Sequence, residues 1–568
     1  MLKQLKSANE IFGQRRYSLI ALACAGVAPL LALPASGQTT DPGRIEERIP
    51  DLGQKEHAKP GEGPRVAAPS KSTVPNIRAF TLKQVEFEGN TVVSSAELQS
   101  ATLSFIGQEV DTSALQKLVN VVTDVYRRKG YFLSRAVVMP QKIGGGRLRI
   151  TLVEGYIGDA NVDASDPRAI GAYLGAVLAE RPLTLKQFER ALLLIEDLYG
   201  ITVVDSRLNQ DPHDPARFVL SLKLSRRLFD AQLYADNRGT ESSGRDQLYA
   251  FAAVNSVIAT GDRVAVSAYT VPSEPQELLF GELSYALPLP EIESWLNLSA
   301  STTSVNAGGR LGTINTESDA SRFQARLNYP LIRSRSESLW LGAGIDIRHS
   351  REEQFSAVSF DDDIRALRLT ADYRTADDWR GTSGIFAELS RGIEGLGSSH
   401  EGDGDLSRLG GRPAFTKLRL DLWRSQTITD NLGLYVGVSG QIADGPLLSA
   451  EEFGIGGPGL GRGYDYSEIV GDEAVAAIAE LRYGELIGQG SLDGYQIYAF
   501  YDVGKVFNEN PQFEFDDAGL SSTGVGIRLT VAKSFLFTFE LAKPLSREVA
   551  STGDKDVRPF LSLTYTLP

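Results

Sequence analysis

The chain has 568 residues, a formal net charge of −14 at pH 7 and a hydrophobic content of 42%. The length exceeds that of one ordinary domain and predicts two or three. The acidic charge disfavours nucleic acid as a partner, because phosphate binding needs a basic surface. Beyond the N-terminal region no segment reaches the roughly 18 consecutive apolar residues of a membrane helix. Composition therefore excludes a helical membrane protein but permits a membrane-spanning β-barrel.

The N-terminus has the pattern of a secretory signal peptide. Basic residues precede the apolar stretch from Tyr17 to Leu33, which ends in small residues up to Gly37. We predict a signal peptide over residues 1–37, cleaved after Gly37. A first membrane helix is one alternative, and a lipoprotein site at Cys24 is another, although the apolar run continues beyond that cysteine. Cys24 is the only cysteine, so the mature chain is expected to contain no disulfide.

Nothing in the sequence indicates a cofactor, a metal site or a catalytic centre. The four histidines lie at positions 57, 213, 349 and 400, without the spacing of metal ligands. An outer-membrane enzyme such as a lipase would need a nucleophile and a base together, and no histidine accompanies a serine motif. We therefore expect no enzymatic activity, no cofactor and no bound metal.

A linker and two repeated units follow the signal. Residues 38–79 are rich in Pro, Gly and charge and indicate a linker, with one short helical candidate at 44–49 that Pro50 ends. An offset of 70 residues then aligns a helix and a strand in two units. The aligned positions are Leu115, Leu118, Val125 and Gly130 with Leu185, Phe188, Ile195 and Gly200, and Leu148, Ile150 and Leu152 with Phe218, Leu220 and Leu222. The periodicities predict β-α-α-β-β units at 80–154 and 155–228, with a helix over residues 95–105 and a strand over residues 131–137 in the first unit.

Short alternating segments occupy residues 229–568. Apolar residues recur on one face of each segment, as in the series Phe535, Phe537 and Phe539, while the other face is mixed or polar. An outward apolar band around a polar lumen is the pattern of a transmembrane barrel. We predict sixteen antiparallel strands, an even number as single-chain bacterial barrels have. The predicted strands lie near 229–237, 247–256, 261–271, 277–286, 294–304, 320–329, 337–349, 363–373, 383–391, 414–423, 431–442, 473–483, 494–502, 522–531, 534–543 and 559–567.

Brief turns alternate with longer connections along this region, such as 305–319, 392–413 and 443–472. Short turns face the periplasm and long loops face outside, which places the two repeated units in the periplasm. The longest connection contains a glycine-rich stretch from Gly454 to Tyr466. Its first residues match the dinucleotide-binding pattern G-x-G-x-x-G, but no β-α-β unit surrounds them, so we reject a nucleotide site.

Two short motifs make the family recognisable. Arg462-Gly463-Tyr464 follows the predicted eleventh strand, and Phe500-Tyr501-Asp502-Val503-Gly504 ends the thirteenth. The first resembles the arginine-glycine-aromatic motif in the sixth extracellular loop of the POTRA-plus-barrel superfamily, and the second resembles its F-x-D-x-G motif. The sequence Asp236-Asn237-Arg238-Gly239, at the end of the first predicted strand, further supports this resemblance. Two repeats followed by sixteen strands further resemble the two-partner secretion branch, the transporters of hemolysins and filamentous hemagglutinin-like adhesins.

The resemblance implies a mechanism and a site. The chain would be an outer-membrane transporter that secretes a large partner exoprotein, with periplasmic POTRA-like units capturing it unfolded. The sixth loop would fold into the barrel, where Arg462 and Asp502 would pair, with Gly463, Tyr464, Phe500 and Gly504 completing the motifs. The alternative is that Arg462 and Asp502 are unrelated polar groups, one in a solvated loop and one lining the pore. Six arginines are predicted by alternation to face the lumen, either as a mostly basic set that loosens contact with a moving chain or as simple solvated pore residues: Arg326, Arg348, Arg368, Arg419, Arg482 and Arg528.

Further partners implied are outer-membrane lipid and the barrel-insertion machinery. Outer-membrane barrels often end in an aromatic residue, and this chain departs from that pattern with Leu567-Pro568. The segment 44–49 would correspond to a helix that plugs the pore in this family, but it is brief and Pro50 ends it, so a plug is not expected. A barrel-assembly factor is the alternative function, since it shares the loop motif but usually carries more POTRA units.

Overall fold

The computed structural model describes residues 42–45, 48, 74–164, 166–489, 491–509 and 517–567. The predicted signal segment 1–37 lies outside these residues, and so does most of the predicted linker. The chain begins, within the described part, with helix α1 (Pro42–Ile45), which starts two residues before the predicted helix. None of the described helices is long and apolar enough to cross a lipid bilayer.

The first periplasmic-type unit has a three-stranded sheet beside two helices. The central strand, residues 147–153, runs parallel to the strand at residues 84–88 and antiparallel to the strand at residues 135–137. Two further strands of two residues each pair with one another beside this sheet. The elements are β1 (Phe80–Thr81), β2 (Gln84–Glu88), α2 (Ser95–Thr102), β3 (Glu109–Val110), α3 (Thr112–Arg128), β4 (Arg135–Val137) and β5 (Arg147–Val153). The Asp111 side chain caps α3 by accepting the Ala114 N–H at 2.7 Å. Beyond the end of α3, Gly130 has a φ of +87°, a conformation that favours glycine.

The second unit repeats the first. Its sheet has the order β6-β8-β7, and its elements are β6 (Tyr156–Asp163), α4 (Pro167–Ala179), α5 (Leu185–Glu196), β7 (Ile201–Gln210) and β8 (Arg217–Arg226). Gly200 has a φ of +70° and corresponds to Gly130 in the 70-residue alignment of the two units. The repeat in the sequence has a structural cause: the apolar triplets on β5 and β8 belong to the central strands and are buried against the helices.

Two boundaries differ from the sequence expectations in the first unit. The predicted strand over residues 131–137 contains only β4, because the Ser134 N–H donates to the Tyr131 carbonyl in a turn rather than to a neighbouring strand. The predicted helix over residues 95–105 ends at Thr102 and continues as a 3₁₀ turn, Leu103–Phe105.

The rest of the chain closes into a barrel of sixteen antiparallel strands, which confirms the predicted fold. Every predicted segment corresponds to one strand. The strands are β9 (Phe229–Asp236), β10 (Gln247–Asn255), β11 (Arg263–Thr270), β12 (Leu279–Leu289), β13 (Ser294–Asn306), β14 (Glu317–Arg333), β15 (Glu337–Gln354), β16 (Ala357–Ala376), β17 (Gly381–Gly392), β18 (Thr416–Thr427), β19 (Leu432–Ala443), β22 (Glu473–Gln489), β23 (Leu492–Phe507), β24 (Asp517–Val531), β25 (Phe535–Pro544) and β26 (Arg558–Thr566). Two short strands, β20 (Phe453–Ile455) and β21 (Ile469–Gly471), pair with each other inside the connection between β19 and β22. A short helix, α6 (Gly309–Gly312), lies between β13 and β14.

The exterior of the barrel is apolar and its interior is charged. On β25, Phe537 and Phe539 each expose 42% of their surface to the outside, whereas Glu540 exposes 3%. This distribution is the reverse of that in a water-soluble protein, and it suits a cylinder surrounded by lipid.

The second unit is docked against the mouth of the barrel. Asp197, which follows α5, accepts two hydrogen bonds from Arg333 on β14, at 2.7 and 2.8 Å, and both side chains are buried. Trp295 and Trp340 pack edge to face with ring centroids 5.2 Å apart and join the core of the unit. The second unit therefore has a defined seat on β13 to β15.

Candidate functional site

The connection between β19 and β22 folds into the lumen of the barrel. We call this connection, residues 444–472, loop 6. Its hairpin of β20 and β21 carries Ile455 and Ile469, which pack with Val506 and Leu520 of the barrel wall. All four side chains are buried, so the loop is packed against the interior of the barrel rather than solvated.

Arg462, near the tip of loop 6, lies among three carboxylates of the wall. Its Nε and Nη2 donate to the two oxygens of Asp502 at 3.2 and 3.1 Å, and its backbone N–H donates to Asp502 at 2.9 Å. Its Nη1 contacts Glu480 directly and lies 3.9 Å from Glu540. The guanidinium is 3% exposed and Asp502 is fully buried. Such a buried pair is costly to break, because removing one partner leaves an uncompensated charge.

The other residues of the strand motif make room for this contact. The Arg462 guanidinium lies 3.5 Å from the centre of the Phe500 ring, a cation–π geometry. A Cβ atom at Gly504 would stand 2.7 Å from the side chain of Ile455 in loop 6 and 2.9 Å from that of Ala476. The motif on β23 thus supplies a face for the guanidinium, its counter-charge and the space for the loop.

Gly463 and Tyr464 hold the tip of the loop against the wall. A Cβ atom at Gly463 would stand 2.9 Å from the backbone nitrogen of Pro544, so only glycine allows this approach. The Tyr464 hydroxyl donates to the Ser521 carbonyl at 3.1 Å, and its ring is 1% exposed. Gly456 and Gly457, with φ of +137° and +94°, turn the chain between the hairpin and the tip.

Sequence reasoning assigned no role to four residues that complete the site. Glu480 on β22 and Glu540 on β25 face inward and surround Arg462. Arg238, which follows β9, donates to the Arg462 carbonyl at 3.3 Å and to Glu540 at 2.5 Å. Arg558 on β26 donates to Asp465 of loop 6 at 2.5 Å. The alternation of residues along a strand predicts which side chains face the lumen, but it does not predict which of them contact loop 6.

The six predicted lumen arginines all lie in contact with other polar or aromatic groups of the interior. Arg348 donates to the Ala450 carbonyl of loop 6 at 3.1 Å, and Arg368 donates to Asp346 at 2.8 Å. Arg326 pairs with Glu388, Arg419 with Asp421, and Arg482 and Arg528 with Glu480. Within the described part of the chain, none of these six arginines is hydrogen-bonded to Asp502. Arg348 and Arg368 are buried, whereas the other four arginines are partly exposed and each has a carboxylate partner.

A cavity of about 650 Å³ occupies the lumen between the second periplasmic unit and the wall of β10 to β17. Its lining mixes aromatic and charged side chains, among them Tyr199, Phe251, Trp295, Arg322 and Asp346. The tip of loop 6 is anchored on the other side of the barrel, on β22 to β25, whereas its stem contacts β15 and β16 at the edge of the cavity. The Arg462 contact and the cavity therefore lie on different sides of the lumen.

The segment around α1 lies inside the barrel, contrary to the expectation that it is too brief to act as a plug. Arg44, Ile45 and Arg48 are buried, although Pro50 and most of the segment's neighbours lie outside the described residues. Arg44 lies 3.8 Å from Glu452 and donates to Ser467 at 3.2 Å, both in loop 6. Arg48 donates to Ser243 at 3.1 Å. A four-residue helix carries too little periodicity for its location to be predicted.

These features define a class: an outer-membrane barrel with periplasmic POTRA domains and a motif loop held inside its lumen. A family model described as haemolysin secretion/activation protein ShlB/FhaC/HecB matches residues 219–529, and a model of the ShlB-type POTRA domain matches residues 80–155. The chain belongs to this family of two-partner secretion transporters, which secrete large exoproteins. It is accordingly an outer-membrane protein whose POTRA domains face the periplasm.

Individual relatives agree with this assignment. The heme/hemopexin transporter protein HuxB of Haemophilus influenzae strain 86-028NP is 23% identical over 94% of this chain and 96% of its own length. The outer membrane transporter CdiB of Dickeya dadantii is 20% identical over 80% of this chain and 81% of its own. Among solved structures, CdiB from Escherichia coli superposes with a TM-score of 0.70 at 17% identity, covering 90% of this chain and 94% of that one. The last likeness shows the shared fold. The family match leaves a barrel-assembly factor as the less supported function.

Proposed function

We propose that one large exoprotein crosses the lumen in an unfolded state while loop 6 stays attached through Arg462. The observation that carries this proposal is the asymmetry of the lumen. Arg462 is buried against Asp502 and Glu480 on one side, whereas the cavity lies beside β10 to β17 on the other. A chain in the cavity therefore need not displace the Arg462 contact.

The charge pattern of the cavity suits a moving polypeptide. Arg322 donates to Asp346 at 2.9 Å, and Arg326 lies 3.6 Å from Glu388, so the cations of this wall carry counter-charges. A wall of paired charges offers weak, replaceable polar contacts to a passing chain and no single strong binding site. Passage by this route needs no covalent chemistry, and we propose that the protein has no enzymatic activity.

We propose that the first POTRA domain captures the exoprotein by adding an extended segment to its sheet. Both outer strands of the second sheet are irregular, with register shifts between Ile157 and Asp159 and between Val203 and Asp205. Bulges of this kind disfavour pairing with another strand. The pairings of the first sheet show no such shift among the described residues. The first sheet is therefore the better acceptor.

The proposal also requires delivery to the outer membrane. We propose that residues 1–37 are a cleaved signal and that the barrel-insertion machinery folds the barrel into the membrane lipid, despite the terminal Leu567-Pro568. Pulse labelling tests the first part, since the mature protein should begin at Gln38.

Deletion of the gene tests the function against its alternative. For a secretion transporter, one large exoprotein should disappear from the medium and reappear when the wild-type gene is restored. The abundance of other outer-membrane barrels should stay unchanged in the same cells. A general loss of barrels, with the exoprotein reduced only in proportion, would instead favour an assembly factor.

A further inference from the structure

A second buried ion cluster holds loop 6 at its stem, on a different part of the barrel wall from the Arg462 contact. Glu451 ends the 3₁₀ turn Ser449–Glu451 and is 1% exposed. Its carboxylate accepts hydrogen bonds from Arg368 at 2.6 and 3.2 Å and lies 2.8 Å from the Lys417 ammonium. Its backbone carbonyl accepts from Lys417 at 2.8 Å and from Gln441 at 3.1 Å.

The partners of Glu451 belong to a different part of the wall from those of Arg462. Arg368 lies on β16, Lys417 on β18 and Gln441 on β19, whereas Asp502 and Glu480 lie on β23 and β22. Arg368 is itself held by Asp346 at 2.8 Å, which in turn accepts from Arg322. The charges therefore alternate in sign from the wall of β14 across to the stem of the loop.

We infer that Glu451 is a second positioning residue of loop 6, which transport requires in addition to Arg462. The tip contact fixes the loop to β22 and β23, and the stem contact fixes it to β16 and β18, so the two together hold the loop across the lumen. Without Glu451, Arg368 and Lys417 are left as neighbouring buried cations that repel each other. The part of this inference that concerns transport rests on the proposed function.

The test uses the full-length protein in intact cells with one introduced thiol. Ser449→Cys at the start of the stem turn is combined with Cys24→Ser, so that the label has a single target. The readout is the rate of labelling by a membrane-impermeant maleimide, together with exoprotein secretion and the heat-modifiable gel mobility of a folded barrel. In this background Glu451→Gln is compared with Glu468→Gln.

Glu468 is a matched control because it is a glutamate of the same loop. Its carboxylate accepts the Ala550 backbone N–H at 2.7 Å, a bond that a glutamine oxygen can also accept. We expect Glu451→Gln to raise the labelling rate by about tenfold or more, as the loss of a hydrogen bond between charged groups predicts, and to reduce secretion in parallel. Glu468→Gln should leave both near the parent values.

A folded Glu451→Gln barrel with the labelling rate of its parent overturns the inference, and so does unchanged secretion. Should Glu451→Gln fail to fold, Lys417→Gln decides in the same way, since it removes one partner and keeps Arg368. If the wild-type protein, without the introduced thiol, secretes no exoprotein, the proposed function alone is contradicted, because the labelling comparison still decides whether Glu451 holds the stem.

Discussion

Two parts of the chain occupy the lumen, and they are held very differently. Loop 6 is joined to strands at both ends, and its Arg462 is bound to Asp502 by three hydrogen bonds of 2.9 to 3.2 Å. The segment around α1 is held by hydrogen bonds to neutral side chains, Arg44 to Ser467 at 3.2 Å and Arg48 to Ser243 at 3.1 Å, and by a looser charge pair of Arg44 and Glu452 at 3.8 Å. We therefore expect loop 6 to stay fixed during transport and the segment around α1 to be the part that leaves the lumen.

Packing supports the same distinction. At Gly463 and Gly504 the loop and wall approach so closely that a Cβ atom would stand less than 3.0 Å from its neighbours. Ile45 of α1 instead packs among Tyr249, Tyr269 and Phe280. Apolar contacts of this kind do not depend on direction as hydrogen bonds do. Displacing the loop would break several hydrogen-bonded buried charge pairs, whereas displacing the segment would break apolar packing, single hydrogen bonds and the looser Arg44–Glu452 pair.

The charge reversal Arg462→Asp should have the largest effect. It places a fourth carboxylate beside Asp502, Glu480 and Glu540, so the loop tip is repelled from the wall. Loss of a buried pair costs about 3–5 kcal/mol, and secretion measured in the medium should fall by at least about 100-fold. The double variant Arg462→Asp with Asp502→Arg should recover part of the activity, because the new arginine can bind the new aspartate and Glu480.

The absence of any recovery in the double variant, with both proteins present as folded barrels, would argue against the pairing. Equal secretion by the single variant and the wild type would argue that the loop is not fixed by Arg462 at all.

A steric change at the loop tip should have an intermediate effect. Gly463→Ala puts a methyl group against the backbone of Lys543 and Pro544, which cannot move as a flexible side chain can. Overpacking of this kind costs about 1–3 kcal/mol, so secretion should fall by roughly tenfold. Gly459→Ala is the control, since its added Cβ atom meets nothing within 4 Å. If the two variants secrete equally well, close packing at Gly463 is not required.

Loosening the N-terminal segment should have the smallest effect on secretion. In the double variant Arg44→Ala with Arg48→Ala, the exoprotein in the medium should stay within about twofold of the wild type, because the two side chains make no contact with the rest of the barrel once the segment has left the lumen. In the absence of exoprotein, the pore of this variant should pass more ions and small solutes than the wild-type pore. Conductance in planar bilayers, or the sensitivity of the cells to large antibiotics, measures this difference. Arg380→Ala, in an exposed periplasmic turn, is the control. Unchanged conductance together with lost secretion would reverse the comparison.

The sequence was sufficient for the barrel because lipid outside and water inside impose alternation on every strand. The same reasoning predicted β15 and β16 too short. β15 ends at Gln354 instead of the predicted residue 349, and β16 begins at Ala357 instead of the predicted residue 363. Lipid contact imposes the alternation of apolar and polar residues only within the bilayer. Strand residues that extend beyond the bilayer therefore lack the pattern from which the strands were predicted. The repeat was equally readable, since β5 and β8 are the buried central strands of two like sheets.

The site was less accessible to sequence reasoning. The contact of Arg462 with Asp502 followed from a resemblance of motifs, and its role in transport stays a prediction. Glu451 and Glu480 gave no signal, because each is one of many acidic residues and its partner is chosen by the three-dimensional path of loop 6. The location of α1 was missed for a related reason: its burial depends on the shape of the lumen and not on its own pattern.

The most direct test of the central claim is photo-crosslinking during secretion. A photoreactive residue at Ser284, which lines the cavity, is compared with one at the adjacent Leu283, which is 55% exposed on the outer face. We predict that the exoprotein crosslinks to position 284 and not to position 283, with loop 6 still protected from maleimide in the same cells. Crosslinking at 283 alone, or at neither position during active secretion, would contradict passage through the lumen.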